Sequence, residues 1–211
     1  MIDFISIFLH VDTYLGDLIS QFGIWTYLIL FLIIFVETGV VIMPFLPGDS
    51  LLFIAGAFAA EGSLNLFYLL VLLSIAAIGG DSANYFIGKY TGEKIITNNW
   101  IKKHHLEKTE NFYKKYGVKT IVLARFVPIV RTIAPFVAGL GKMEYKKFLK
   151  FNIIGGLAWV LLIVMGGYLL GTIPIVKANF EWIIFGIIVL SILPPIIEWI
   201  KERRKNKSIS Q

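Results

Sequence analysis

The sequence predicts an all-α membrane protein: an inverted repeat of two re-entrant helical hairpins, with about four transmembrane helices plus amphipathic interfacial helices. Three observations predict it. Of the 211 residues, 57% are hydrophobic, and the mean hydropathy is +0.76; soluble domains are about 45–50% apolar. Two apolar stretches, 43–63 and 119–141, are broken by prolines and carry charge. Lys and Arg gather in clusters that fit one side of a bilayer.

The elements are predicted in chain order within a single membrane domain, 1–211. Residues 1–22 suit an amphipathic N-terminal helix. Phe4, Phe8, Leu15, Leu18 and Phe22 share one side, while Asp3, His10, Asp17 and Gln21 fall largely on the other. Such a helix lies at the membrane interface or packs on the protein itself. Asp3, Asp12 and Asp17 argue against a signal peptide. The run Ile24 to Ile42 is long enough to span a hydrocarbon core of about 30 Å at about 1.5 Å per residue. Glu37 stands near its end, and Pro44-Phe-Leu-Pro-Gly-Asp49 then breaks the chain. The apolar Ser50–Ala60 that follows reaches only about half the membrane, which predicts re-entrant hairpin 1 over 43–63.

Leu64 to Ile87 spans again, although Gly79-Gly80-Asp81 interrupts its apolar character. Residues 89–118 read as a cytoplasmic amphipathic segment with an aromatic face at Phe112, Tyr113 and Tyr116. Residues 119–141 form re-entrant hairpin 2. The stretch holds Arg125, Arg131, Pro128 and Pro135. An Arg at mid-membrane costs roughly 2.5–3.5 kcal/mol on insertion scales, so this segment should line a polar cavity inside the protein. Tyr145–Leu170 and Trp182–Ile200 are further spans, and 201–211 is a basic cytoplasmic tail.

Of the 20 Lys and Arg, eight lie in 89–119, four in 142–150 and five in 201–211. If 119–141 dips in and returns, these clusters share the cytoplasmic side with both termini, and only Lys177 is left outside. The two halves also echo one another. Phe45-Leu-Pro47 matches Phe126-Val-Pro128, Ala55-Gly56 matches Ala138-Gly139, and Gly79-Gly80 matches Gly155-Gly156. Inverted repeats with broken helices meeting near the midplane are a transporter architecture, and the breaks mark the binding site.

The formal charge of +6 follows from the cytoplasmic lysine clusters, so no nucleic-acid partner is expected. There is no Cys, hence no disulfide or thiolate metal site; no metal or other cofactor is expected. The candidate site is made of Glu37, Asp49, Arg125 and Arg131. Arg125 and Arg131 are the candidate substrate-binding residues, because a guanidinium fork matches phosphate. Glu37 and Asp49 are the candidate proton-coupling residues, since carboxylates in membrane cavities form proton relays. Alternatively, the four residues are two salt bridges that pin the hairpins together. Asp81, Pro47, Pro128 and Pro135 are supporting residues. Asn152 and Trp159 read as packing and interface residues, Gly155, Gly156, Gly166 and Gly167 as sites of close helix contact, and His104 and His105 as solvated.

The segments ETGVVIMPFLPGDS (37–50), GDSANYFIG (80–88), ARFVPIVRTIAPFVAG (124–139), FNIIGGLAW (151–159) and GTIP (171–174) resemble the DedA family of integral membrane proteins in the VTT/SNARE-associated superfamily, especially its founding DedA subgroup. The likeness covers most of the chain. It implies a bacterial cytoplasmic (inner) membrane protein that translocates lipid: undecaprenyl phosphate, or phosphatidylethanolamine as the alternative, with links to the proton-motive force. The family's essential acids map onto Glu37 and Asp49, and its essential arginines onto Arg125 and Arg131. The expected partners are a phospholipid or polyprenyl phosphate, the membrane and protons; a homo-oligomer is compatible with all of this. An enzyme such as a lipid phosphatase is not expected, because His10, His104 and His105 are peripheral and a hydrolase needs a nucleophile and base or a metal cluster. A proton or ion pathway supporting membrane homeostasis would use the same carboxylates.

Overall fold

The computed structural model describes residues 11–40, 48–97, 113–114, 116–174 and 186. Every regular element among them is helical: α1 (Val11–Phe22), α2 (Trp25–Gly39), α3 (Gly48–Ala60), α4 (Leu66–Thr97), a 3-10 turn (Gly117–Lys119), α5 (Thr120–Ala124), α6 (Pro128–Leu140) and α7 (Tyr145–Leu170).

Two stretches are long and apolar enough to cross a membrane, Leu66–Thr91 and Tyr145–Leu170. Each has 26 residues, or about 39 Å of helix. Helix α2 has 15 residues and both α3 and α6 have 13, about 20 Å each and shorter than the hydrocarbon core. The expected span Trp182–Ile200, the basic tail, Pro47 and the Phe45-Leu-Pro47 repeat unit lie outside the described residues. The expected span Leu64 to Ile87 is helical from Leu66 onward. Helix α4 runs on to Thr97 and passes unbroken through Gly79-Gly80-Asp81. The glycines do not stop it because they are where α2 lies closest: a side chain on Gly80 would overlap Thr38 and the backbone of Phe35.

Local chemistry explains the ends. Gly23 takes a positive φ of 51° between α1 and α2, a conformation that costs glycine little, and Thr26 Oγ1 donates to the Leu18 carbonyl across that turn. Asn65 caps α4, its Oδ1 accepting the Tyr68 N–H at 3.1 Å. Between α5 and α6, Val127 is extended (φ −124°, ψ 103°), as the residue before a proline prefers, and Pro128 opens α6, where its missing N–H costs nothing.

The packing is reciprocal. Helix α3 of the first half lies along α7 of the second, and α6 of the second half lies along α4 of the first. Glycines mark both contacts. A side chain on Gly56 would overlap the Val164 carbonyl, and one on Gly167 the Phe53 carbonyl. In the other pair, Gly139 meets the Tyr85 carbonyl and Gly88 the Phe136 carbonyl in the same manner. Helix α2 packs on α4, and α5 on α7.

A single apolar cluster, including Leu30, Ile34, Leu52, Ile54, Leu69, Leu73, Trp159 and Val164, joins α2, α3, α4 and α7. The described part of α1 packs on it through buried Leu15, with Leu18 and Ile19 alongside, so this stretch rests on the protein itself. Large apolar side chains are exposed along α2, α4 and α7, among them Trp25, Leu32, Phe67, Ile75, Leu157 and Leu162. Such a belt suits a lipid surround rather than water.

Candidate functional site

Two helix breaks and the middles of α4 and α7 converge on one polar region. Glu37 sits in the last turn of α2 and Asp49 in the first turn of α3. A side chain at Gly48 would overlap the Glu37 carboxylate, so glycine is what lets that carboxylate lie against the start of α3. Negative charge is favoured there by about 0.3–1 kcal/mol, because the first N–H groups of a helix point outward.

Arg131, in the first turn of α6, joins both acids. Its Nη2 donates to Glu37 Oε1 at 2.7 Å and its Nη1 to Asp49 Oδ1 at 3.0 Å. The Glu37 side chain is 1% exposed and that of Asp49 24%. Glu37 Oε2 is buried against Gly48 at the start of α3.

Arg125 does not join that group. It stands at the turn after α5, and its Nη2 donates to Asp81 Oδ2 at 2.5 Å and to Asn152 Oδ1 at 2.6 Å. Asn152 is fixed in turn, its Nδ2 donating to the Ile78 carbonyl at 3.0 Å. The Arg125 guanidinium lies over Gly155 and Gly156. A carbon added to Gly155 would stand 3.2 Å from Arg125 Cδ, and one added to Gly156 would stand 3.3 Å from Nη2. Arg125 is 3% exposed, and its Nε and Nη1 donate to nothing among the described residues. Two buried guanidinium nitrogens whose hydrogens lack acceptors are costly and call for an explanation.

Trp159 links the two groups. Its Nε1–H donates to Asp49 Oδ1 at 2.9 Å. The Arg131 and Arg125 guanidinium carbons lie 5.0 and 5.8 Å from its ring centre, within cation–π range. Asn152, Gly155, Gly156 and Trp159 face the same way because 152 and 159 are two helical turns apart.

A cavity of about 150 Å³ opens beside these residues, lined by Asp49, Arg125, Phe126, Arg131, Trp159, Leu162 and Ile163. Of its charged lining, Arg125 is buried and Arg131 and Asp49 are partly buried. Phe126 and Leu162, by contrast, are 51% and 64% exposed and place its mouth on the apolar belt. Among the described residues, no group of three His, Cys, Asp or Glu stands close enough to hold a metal ion.

The structure thus brings Glu37, Asp49 and Arg131 into direct contact, and places Arg125 on the same cavity with Asp81 as its partner. Pro128 starts α6 and Pro135 lies within it. Sequence reasoning set Asn152 and Trp159 aside as packing, and Gly155 and Gly156 as helix contacts. The available signal was their spacing: polar and small residues repeating along one face of an otherwise apolar span.

Buried ion pairs, broken short helices and an exposed apolar belt define a helical membrane protein with a charged internal cavity. Comparison with known proteins is more specific. Residues 46–169 match the family model of the VTT domain. Protein DedA of Escherichia coli K12 is 54% identical over 209 residues, covering 97% of this chain and 94% of that protein. An uncharacterized membrane protein of Mycobacterium tuberculosis H37Rv is 38% identical over 185 residues, 85% and 81% of the two chains. Inner membrane protein YqjA of E. coli K12 is 35% identical over 152 residues, 71% and 69% of the two. No solved structure matches. The chain belongs to the VTT-domain family of membrane proteins, the DedA family.

Proposed function

We propose that this protein is a lipid translocase of the bacterial cytoplasmic membrane, moving a phosphate-bearing lipid, undecaprenyl phosphate foremost, with protons as the coupling species. The observation that carries this is the cavity. Arg125 and Arg131 both line it, and so do the exposed apolar Phe126 and Leu162. A phosphate head group fits the guanidinium side, and its hydrocarbon chain fits the apolar side. A water-soluble anion has no use for that mouth.

Proton coupling is supported by charge. Three carboxylates, Glu37, Asp49 and Asp81, already face two guanidinium groups. An arriving phosphate adds negative charge to a site without surplus positive charge, and protons on Glu37 or Asp49 offset it. The reciprocal packing of the two halves supports an inverted repeat of re-entrant hairpins, with both termini cytoplasmic by the lysine distribution. The presence of Asp49 on the cavity wall favours one alternative substrate. A zwitterionic head group such as phosphatidylethanolamine would set its phosphate on Arg125 and its ammonium on Asp49.

Reconstitution in liposomes tests the proposal, with undecaprenyl phosphate, phosphatidylethanolamine and a proton-sensitive dye in parallel. Transbilayer movement of the polyprenyl phosphate, lost in correctly inserted Arg131→Ala, is expected. Movement of phosphatidylethanolamine alone would select the zwitterion, and proton flux with no lipid movement would replace the proposal by an ion pathway. Release of inorganic phosphate from lipid by the purified protein would establish an enzyme instead.

A further inference from the structure

One buried side chain outside the ion-pair network bridges the two helices that carry Glu37 and Arg131. Asn84, on α4, is fully buried. Its Nδ2 donates to the Thr132 carbonyl at 2.8 Å and to the Thr38 carbonyl at 3.3 Å. Its Oδ1 is buried and accepts no hydrogen bond among the described residues. The two acceptors fix the orientation of the amide, since only its nitrogen has hydrogens to offer both carbonyls.

The two carbonyls belong to the residues directly after Glu37 and Arg131, the members of the 2.7 Å ion pair. Thr38 lies at the end of α2, where helix carbonyls lose their intrahelical partners. Thr132 lies in the turn of α6 that Pro135 disturbs: proline has no N–H for the Arg131 carbonyl, and its ring crowds that turn. One acceptor is thus at a helix end and the other is next to the carbonyl that Pro135 leaves without a helical donor, and one amide with two donors reaches both.

Leucine has nearly the shape of asparagine and would leave no buried polar atom on this side chain. The unbonded Oδ1 is a cost that the two donated hydrogen bonds offset. We infer that Asn84 is a positioning residue: through the Thr38 and Thr132 carbonyls it sets the α2 and α6 backbones at the separation at which Glu37 and Arg131 pair. This rests on the proposed use of Arg131 in lipid-phosphate binding only for its consequence in transport. The positioning itself is independent of that use.

The test is a double-mutant cycle read by thermal unfolding of the purified full chain. Asn84→Leu is placed in the native protein and in a neutralised background carrying Glu37→Gln, Asp49→Asn and Arg131→Gln. Asn84→Ser, with one donor, is run alongside so that the cycle stays readable where the leucine variant does not accumulate. If Asn84 positions the ion pair, the fall in Tm is at least twofold larger in the native background, because sites that share a network are not additive. Equal falls in both backgrounds, or no fall in either, overturn the inference and identify an ordinary packing residue. A second arm measures lipid movement by the Asn84 variants. A several-fold rise in half-saturating lipid with the maximal rate retained is expected. Coupling in the cycle without lipid movement by the native protein would reject the translocase proposal and leave the positioning role standing; additivity with normal lipid movement would do the reverse.

Discussion

Asp81→Asn is the most direct probe of how the buried charges stabilise this protein. Asp81 and Arg125 pair at 2.5 Å with side chains 4% and 1% exposed. Removing the carboxylate leaves Arg125 buried with the Asn152 hydrogen bond and the Trp159 ring contact, and with Nε and Nη1 still unbonded among the described residues. Breaking a buried ion pair by deleting one partner costs about 3–5 kcal/mol, mostly as the penalty of the stranded charge. For a domain of roughly 150–250 residues, 1 kcal/mol moves Tm by about 2–4 °C, so a fall of about 6–20 °C is expected. The double variant Asp81→Asn/Arg125→Met removes the stranded charge as well and should recover more than half of the loss. Thermal unfolding in one fixed detergent measures both. The reasoning is refuted if Asp81→Asn unfolds within about 2 °C of the native protein, or if the double variant is no more stable than the single one.

Other outcomes follow from the same geometry. Gly139→Ala should destabilise by about 1–3 kcal/mol, since its new carbon overlaps the Tyr85 carbonyl in a packed contact. Gly166→Ala, whose carbon meets only the edge of Phe53 at 4.0 Å, should leave Tm unchanged; thermal unfolding of the pair compares them directly. Trp159→Phe loses the hydrogen bond to Asp49, worth about 1.5–3 kcal/mol for a charged acceptor. Trp159→Leu should fall further by up to about 2 kcal/mol, as both cation–π contacts vanish. Leu162→Trp enlarges a 64% exposed residue at the cavity mouth; it should slow lipid movement in liposomes while Tm holds.

The sequence carried the membrane class, the proline break before α6 and the charged residues beside it. Those features are local. Hydropathy selects the solvent, proline imposes its conformation on the residue before it, and an arginine in an apolar stretch demands a buried partner. Ala55-Gly56 and Ala138-Gly139 also stood out along the chain, and Gly56 and Gly139 both lie at close helix contacts. Which acid each arginine takes was not legible, because Arg131 lies 82 residues from Asp49 and Arg125 lies 44 from Asp81; such partners are chosen by how the helices that carry them pack. The same holds for Trp159, whose composition is that of any buried aromatic residue until two guanidinium groups are laid against its ring. The unbroken course of α4 through Gly79-Gly80 was decided likewise. A glycine pair read alone weakens a helix, and only the approach of α2 turns it into a contact surface.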